Sequence, residues 1–245
     1  MQSWLPTMSL EDKVAVITGA SRGIGRAIAQ DLARSGVYVI LAARNEGELK
    51  EVVRSIISEG GKASSFPLDI TDEAAIRRFL VSLSMISGHV DILINNAGLG
   101  SFQPVTETDS QFWDEVMEVN VKGTFLMCKH LVPLMQTQKS GHIINIASDV
   151  SKRTFANGAM YCASKYAQDA FCSALRKEVR EFKIKVSVVY PGKVETWFNN
   201  NTPGLNEENI QLNPEDIAGS VNYILSAPPH VVIDELMIHP LSQDY

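Results

Sequence analysis

Tyr161 and Lys165 stand four residues apart in the stretch YCASK, with only small residues between them. On a helix such a pair shares one face, with Cβ atoms about 5–6 Å apart. The spacing fits an ordinary surface contact, and it also fits a device for making a phenol acidic at neutral pH. A free phenol titrates near pH ~10. A cation about 4 Å away is worth up to about 4 kcal/mol at an effective dielectric of about 20, or roughly 3 pKa units. Two further polar groups stand where chemistry needs them. Ser148 follows the apolar run HIINIA, and Asn120, in EVNVKG, interrupts the apolar face of a helical stretch.

A second group of residues has the composition of a nucleotide site. VITGASRGIGRAIA (16–29) places Gly19, Gly23 and Gly25 between a short apolar run and a helical stretch. Glycines let a backbone approach a pyrophosphate, and a helix N-terminus offers unpaired N–H groups and a positive dipole. The spacing is G-x3-G-x-G, so the usual dinucleotide fingerprint is not matched. Simple tight packing is the bland reading; the position after the first apolar run favours a cofactor. The second run ends in AAR. Arg44 occupies the place where a carboxylate would hold a ribose 2′-OH, and Arg22 lies inside the glycine turn. Two cations and no carboxylate suit the 2′-phosphate of NADP(H). Asp69, in PLDI, is placed to accept from an adenine amino group, and NNAG (95–98) offers a small, flat segment beside a ribose, with Asn95 and Asn96 as alternative structural residues. The Pro191-Gly192 pair in PGKVET reads as a plain turn or as part of the same site.

The elements that must position these groups alternate along the chain. VAVIT (14–18), VYVILAA (37–43), residues 62–68, DILIN (91–95), HIINIA (142–147), IKVSVVY (184–190) and VVIDELMI (231–238) read as strands. Between them, 23–35, 46–59, 72–87, 109–136, 159–182 and 214–226 read as helices, with Thr71 and Asn213 as caps and Pro214 at a first turn. In the longest of these, Phe112, Val116, Val119, Gly123, Leu126, His130 and Leu134 form the apolar stripe; in 159–182, Ala163, Ala167, Ala170 and Ala174 line one face. Nearly all-apolar strands alternating with helices predict a parallel sheet covered on both faces. The fold class is a single doubly wound, Rossmann-like α/β domain over 13–245, with about seven parallel strands. Residues 1–12 read as a loose lead-in in which Met8 is an alternative start. Ligands of such sheets sit outside the carboxyl ends of the strands, and every group named above falls at such an end.

Composition narrows the partners. The 245-residue chain carries a net charge of −6, against a nucleic-acid surface. No apolar run reaches the length of a membrane span. The three cysteines fit no metal spacing, the five histidines are scattered, and no secretory signal is present. The expectation is a cytoplasmic protein without a metal.

TGASRGIG (18–25), NNAG, Asn120, Ser148, YCASK and PGKVET come in an order and at spacings that resemble the short-chain dehydrogenase/reductase family, across nearly the whole chain. The resemblance implies roles. Tyr161 is the general acid in reduction and the general base in oxidation, and Ser148 holds the substrate oxygen. Lys165 binds the nicotinamide ribose and lowers the phenol's pKa. Asn120 seats a water that links Lys165 to solvent. Around the cofactor the resemblance adds Ser21 and Ile24 in the glycine turn, Ile70 beside Asp69, and Ala97 and Gly98 in NNAG. Pro191, Gly192, Val194 and Thr196 line the nicotinamide side. It also implies a homodimer or homotetramer built on helices 109–136 and 159–182. The reaction implied is interconversion of a carbonyl and a secondary alcohol with NADP(H).

Substrate choice rests on less. Residues 196–213 read as a lid, with Trp197 and Phe198 forming an apolar wall or packing on the sheet. Lys152 and Arg153, between Ser148 and Tyr161, favour an anionic substrate if they face the site, although solvated loop charges are the commoner case. Arg176, Lys177 and Arg180 suit the acidic carrier of a 3-oxoacyl carrier-protein reductase, although Glu178 and Glu181 are interleaved. The ending PPHVVIDELMIHPLSQDY resembles the 3-hydroxy acid (serine-type) dehydrogenase branch. An NADP(H)-sensing binding protein is the alternative outside enzymology.

Overall fold

Consecutive residues of a strand point to opposite faces of its sheet, and that alternation organises this molecule. The computed structural model describes residues 8–198, 204 and 211–243. Seven strands form one parallel sheet: β1 (Val14–Thr18), β2 (Tyr38–Ala43), β3 (Lys62–Pro67), β4 (Ile92–Asn95), β5 (Gly141–Ile146), β6 (Ile184–Pro191) and β7 (Glu235–Ile238). Their order is β3-β2-β1-β4-β5-β6-β7, so the chain reverses its winding between β1 and β4. The two edge strands are only half-buried, whereas β1 is buried throughout.

Val14 and Val16 enter one core, with Ile76, Phe79, Leu131, Met135, Cys172 and Val179 from the helices α3 (Glu73–Ile86), α5 (Thr124–Gln138) and α6 (Ala159–Val179). Ala15 and Ile17 enter the other, with Ile28, Leu32, Leu49, Val52, Ile217 and Val221 from α1 (Gly23–Arg34), α2 (Glu46–Ser58) and α7 (Pro214–Leu225). Helices therefore cover both faces, and every strand's carboxyl end opens on one rim.

Three local expectations need correction. α3 is capped by Asp72, whose Oδ1 accepts from Ala74 N (2.8 Å) and Ala75 N (3.0 Å). Thr71 instead donates its hydroxyl to Asp69 Oδ1 at 2.8 Å. The last strand begins at Glu235 rather than at 231. The long helix expected over 109–136 is broken: α4 (Ser110–Met117) passes through a π-helical turn, Glu118–Gly123, into α5. A π-turn inserts one residue and rotates the rest of the helix by about 100°. Leu126 of the expected stripe is buried, but beyond it Leu131, Val132 and Met135 are buried and Leu134 is exposed. Asn213 does cap α7, through a reciprocal box with Asp216.

Of the lead-in, 1–7 lie outside the described residues. Met8 N donates to Ser226 O at 3.0 Å, and Leu10 is buried. The alanine face of α6 points outward; its buried face carries Tyr161, Ser164, Lys165, Gln168 and Cys172.

Candidate active site

The rim above β1 and β4 is laced shut by hydrogen bonds. Thr18 Oγ1 accepts from Asn96 N (3.0 Å) and Ala97 N (3.1 Å), and Asn96 Nδ2 donates to Thr18 O (3.0 Å) and Gly19 O (3.2 Å). Asn96 therefore braces the glycine turn. Gly19 has a φ of +64°, and a Cβ on Gly25 would lie 2.4 Å from Gly19 O, so neither position accepts a larger residue without movement. Ile24 packs onto the core from the start of α1, beside Ser21. No side chain caps α1, and its first turn holds no acid. The Arg22 and Arg44 side chains are exposed and make no hydrogen bond or ion pair among the described residues. An uncapped helix start flanked by two unpaired cations fits the phosphates of a dinucleotide. Glu46 is already paired with Lys50.

Of the other expected cofactor residues, Asp69 stands exposed on the rim, its Oδ1 held by Thr71 N at 2.9 Å. Ile70 is buried, and a Cβ on Gly123 would meet its Cδ1 at 2.5 Å, so its side chain supports the π-turn. A Cβ on Gly98 would lie 3.2 Å from Asn120 Oδ1 and 3.7 Å from Lys165 Nζ. Past β6, Pro191 is buried, Gly192 N donates to Ile238 O at 2.8 Å, and Val194 bridges to Leu212. Thr196 stands over the glycine turn, its Cγ2 3.4 Å from where a Gly23 Cβ would be. Most of the expected lid, 199–203 and 205–210, lies outside the described residues.

The π-turn carries Asn120 into the interior. Its Oδ1 accepts from Leu99 N (2.9 Å), and its Nδ2 donates to Leu99 O (2.8 Å) and Ser164 Oγ (2.9 Å). Both amide hydrogens and one lone pair are thus taken by protein groups, and the side chain pins the 96–100 segment to α6. Its main-chain carbonyl accepts from Thr124 Oγ1 at 2.8 Å.

Lys165 is 4% exposed and donates to Gln168 Oε1 (2.8 Å) and to Ile146 O (3.3 Å). Gln168 Nε2 donates in turn to Thr124 Oγ1 at 2.9 Å. Burial pushes the amine down to about 7. Tyr161 is 8% exposed. Burial drives its phenol upward, and the neighbouring Ser148 hydroxyl opposes the rise. The expected lowering of the phenol by Lys165 does not appear. The amine lies 5.7 Å from the ring centroid and gives its donors to Gln168 and Ile146. Desolvation disfavours charge on both groups.

Ser148 Oγ donates to Asp149 Oδ1 at 3.1 Å. That carboxylate is buried and held by Arg153 Nε (2.9 Å) and by Gln243 Nε2 (2.7 Å) of the C-terminal segment. Lys152 is paired with Asp169 (2.9 Å) and Glu235 (3.2 Å). The two loop cations are therefore engaged by the protein's own acids, contrary to the anion-binding expectation. Among the residues that reading the sequence missed, Gln168 had a signal: it lies three residues past Lys165, on the same helix face. Asp149, next to Ser148, also had one. Gln243 had none.

A doubly wound parallel sheet whose glycine turn, buried lysine and serine–tyrosine pair share one rim defines a Rossmann-like class of protein. The chain belongs to the short-chain dehydrogenase family, which it matches over residues 13–204. It is 36% identical to an uncharacterised oxidoreductase of Staphylococcus saprophyticus over 96% of this chain and 100% of that one. The alcohol dehydrogenase of the archaeon Thermococcus sibiricus, solved with 5-hydroxy-NADP, superposes with a TM-score of 0.91 at 32% identity, covering 96% of this chain and 99% of that one. A closed form of serine dehydrogenase with NADP+ superposes with a TM-score of 0.88 at 30% identity, covering 95% and 96%. Among the described residues no helix is long and apolar enough to cross a membrane, and no cluster of ligating residues could hold a metal ion.

Proposed function

We propose that this oxidoreductase interconverts a small carbonyl compound and its secondary alcohol using NADP(H). The observation that carries the reading is that Ser148, Tyr161 and Lys165, all three buried, stand on the rim that also holds the glycine turn. The unpaired Arg22 and Arg44 support NADP(H) over NAD(H), and two similar solved proteins carry NADP-type ligands.

In this reading the glycine turn and the start of α1 hold the pyrophosphate, Arg22 and Arg44 the 2′-phosphate, and Asp69 the adenine. Asn96, Ala97 and Gly98 bound the ribose side. The segment from Pro191 to Thr196 bounds the nicotinamide side, and Lys165 reaches the ribose hydroxyls. The cofactor, when bound, exchanges a hydride with the carbonyl carbon. Ser148, turning its one hydroxyl proton from Asp149, donates to the substrate oxygen, and Tyr161 gives that oxygen a proton in reduction and removes one in oxidation. A lysine pushed to about 7 can both hold and release a proton at neutral pH, which suits it to restore the proton on Tyr161. Asn120 acts by fixing the 96–100 segment and α6. The test is NADPH consumption against β-keto esters, 3-oxoacyl thioesters, diketones, quinones and steroids. Reduction of at least one class, faster with NADPH than with NADH, is expected; NADPH binding without any turnover would leave a nucleotide-sensing protein.

Gln168 is a positioning residue for Lys165. Gln168→Leu removes an acceptor from the ammonium, which lowers the amine's pKa further. Gln168→Glu adds a charge and raises it. Activity that needs the charged amine then declines at lower pH in the leucine variant and at higher pH in the glutamate variant, with kcat changing about tenfold and the NADPH KM little changed. Shifts in the same direction would show a purely structural role.

Of the specific substrate readings, one gains support and one loses it. The similarity to a serine dehydrogenase favours a 3-hydroxy acid. A carrier protein is less well served, because Arg176 is tied to Val186 O (2.9 Å) and Asp234. A homo-oligomer fits the exposed Trp113, Phe125 and Tyr166 on α4, α5 and α6. The free, buried cysteines fit a reducing, cytoplasmic setting.

A further inference from the structure

We propose that the substrate presents an aryl or comparably apolar group to this site, which sets Phe102 and Phe198 against the Tyr161 ring and Phe155 behind Phe102. The inference rests on the carbonyl–alcohol reading above and names the chemistry of its substrate. Phe102 follows β4, Phe155 precedes α6, and Phe198 follows Thr196. Their meeting is a product of the fold. Phe198 lies 5.2 Å from the Tyr161 ring, centroid to centroid, and Phe102 lies 5.7 Å from it. Phe155 stacks edge-on against Phe102 at 5.0 Å. Gly100 completes the wall, because a Cβ there would lie 2.4 Å from Tyr161 Cδ2 and 3.0 Å from Phe198 Cζ.

The rings are not core residues. Phe102 and Phe155 are 40% and 38% exposed, beside a tyrosine that is 8% exposed. Apolar surface left partly open around a reactive hydroxyl is surface that a ligand can cover. Edge-to-face and offset ring contacts of this size favour an aromatic guest beyond simple area burial.

The charges point the same way. A substrate carboxylate would need a cation near Ser148. Arg153 is bound to Asp149, and Lys152 to Asp169 and Glu235. A carboxylated substrate would therefore share a cation already engaged by a protein carboxylate and would face Asp149, whose Oδ1 lies 3.1 Å from Ser148 Oγ. An aryl ketone meets neither cost. In reduction it takes a hydride from NADPH at the carbonyl carbon and a proton from Tyr161 at oxygen, leaving the secondary alcohol and NADP+.

The test uses the full chain in two measurements. The first is kcat/KM with NADPH for acetophenone, 2-butanone and acetoacetate, in the parent protein, Phe102→Ala and Phe198→Ala. The second is calorimetric binding of 1-phenylethanol to the NADP+-loaded proteins. Acetophenone is expected to exceed acetoacetate at least tenfold in the parent. Each substitution lowers kcat/KM for acetophenone and affinity for 1-phenylethanol by roughly 2- to 12-fold, while 2-butanone changes less than about threefold. If all three ketones fail as substrates while 1-phenylethanol binds and loses affinity in the variants, the aromatic subsite stands and the reaction assigned to it falls. If acetoacetate is preferred, or the substitutions leave the aryl preference and affinity unchanged, the subsite is refuted and the reaction is untouched.

Discussion

Tyr161→Phe lowers turnover of every carbonyl substrate by roughly 10²- to 10⁴-fold, the range that a positioned general acid supplies, while NADPH binds as tightly as before. The substitution removes one oxygen and leaves the ring. That ring packs with Val150, Cys162 and Phe198, and a phenylalanine keeps the ring. Ser148 keeps its bond to Asp149, so no buried donor is orphaned. The glycine turn, Arg22, Arg44 and Lys165 are untouched, so affinity for the nucleotide has no reason to change. Stopped-flow fluorescence of NADPH binding beside steady-state turnover separates the two. Turnover within a few-fold of the parent would show that the proton comes from elsewhere, and the assignment of Tyr161 would be lost.

Arg44→Asp reverses the nucleotide preference. A charge-assisted bond to a phosphate is worth about 1.5–3 kcal/mol, or roughly 10- to 150-fold in kcat/KM for NADPH. The new carboxylate adds repulsion towards the 2′-phosphate and offers an acceptor to a free ribose 2′-OH. NADPH should therefore lose most of its advantage and NADH should gain. Arg22 stays in place, so some affinity for the phosphate persists. Because Arg44 is exposed and unpaired, the change in stability should stay within about 0.5 kcal/mol, and a loss of activity cannot be blamed on unfolding. Unchanged ratios of NADPH to NADH efficiency would place the 2′-phosphate away from β2.

Some of this site was legible before the fold was known. The apolar runs marked the strands because central parallel strands are buried on both sides and tolerate little else. Arg44 and Asp69 were legible because each directly follows a strand, and strand ends in such sheets share one rim. The phase of α5 was not legible. A π-turn changes the rotation of a helix without a composition of its own, and Leu134 was placed in the core where Leu131 and Met135 lie. The charges around Lys165 were likewise misjudged, because spacing placed an ammonium near a phenol without showing how far both would be desolvated.

The chain's own order of residues determined the parallel sheet, the rim on which the chemistry sits, and the candidates Ser148, Tyr161 and Lys165. These arise from periodicity and from contacts spanning one helical turn, which a linear string records. Only the tertiary structure decided that Lys152 is neutralised by Asp169 and Glu235, that Gln243 reaches Asp149, and that Phe102 and Phe198 meet at the Tyr161 ring with Phe155 behind Phe102. Most of those pairs join segments far apart in the chain. Their distances depend on how whole layers pack, and no local pattern carries that information.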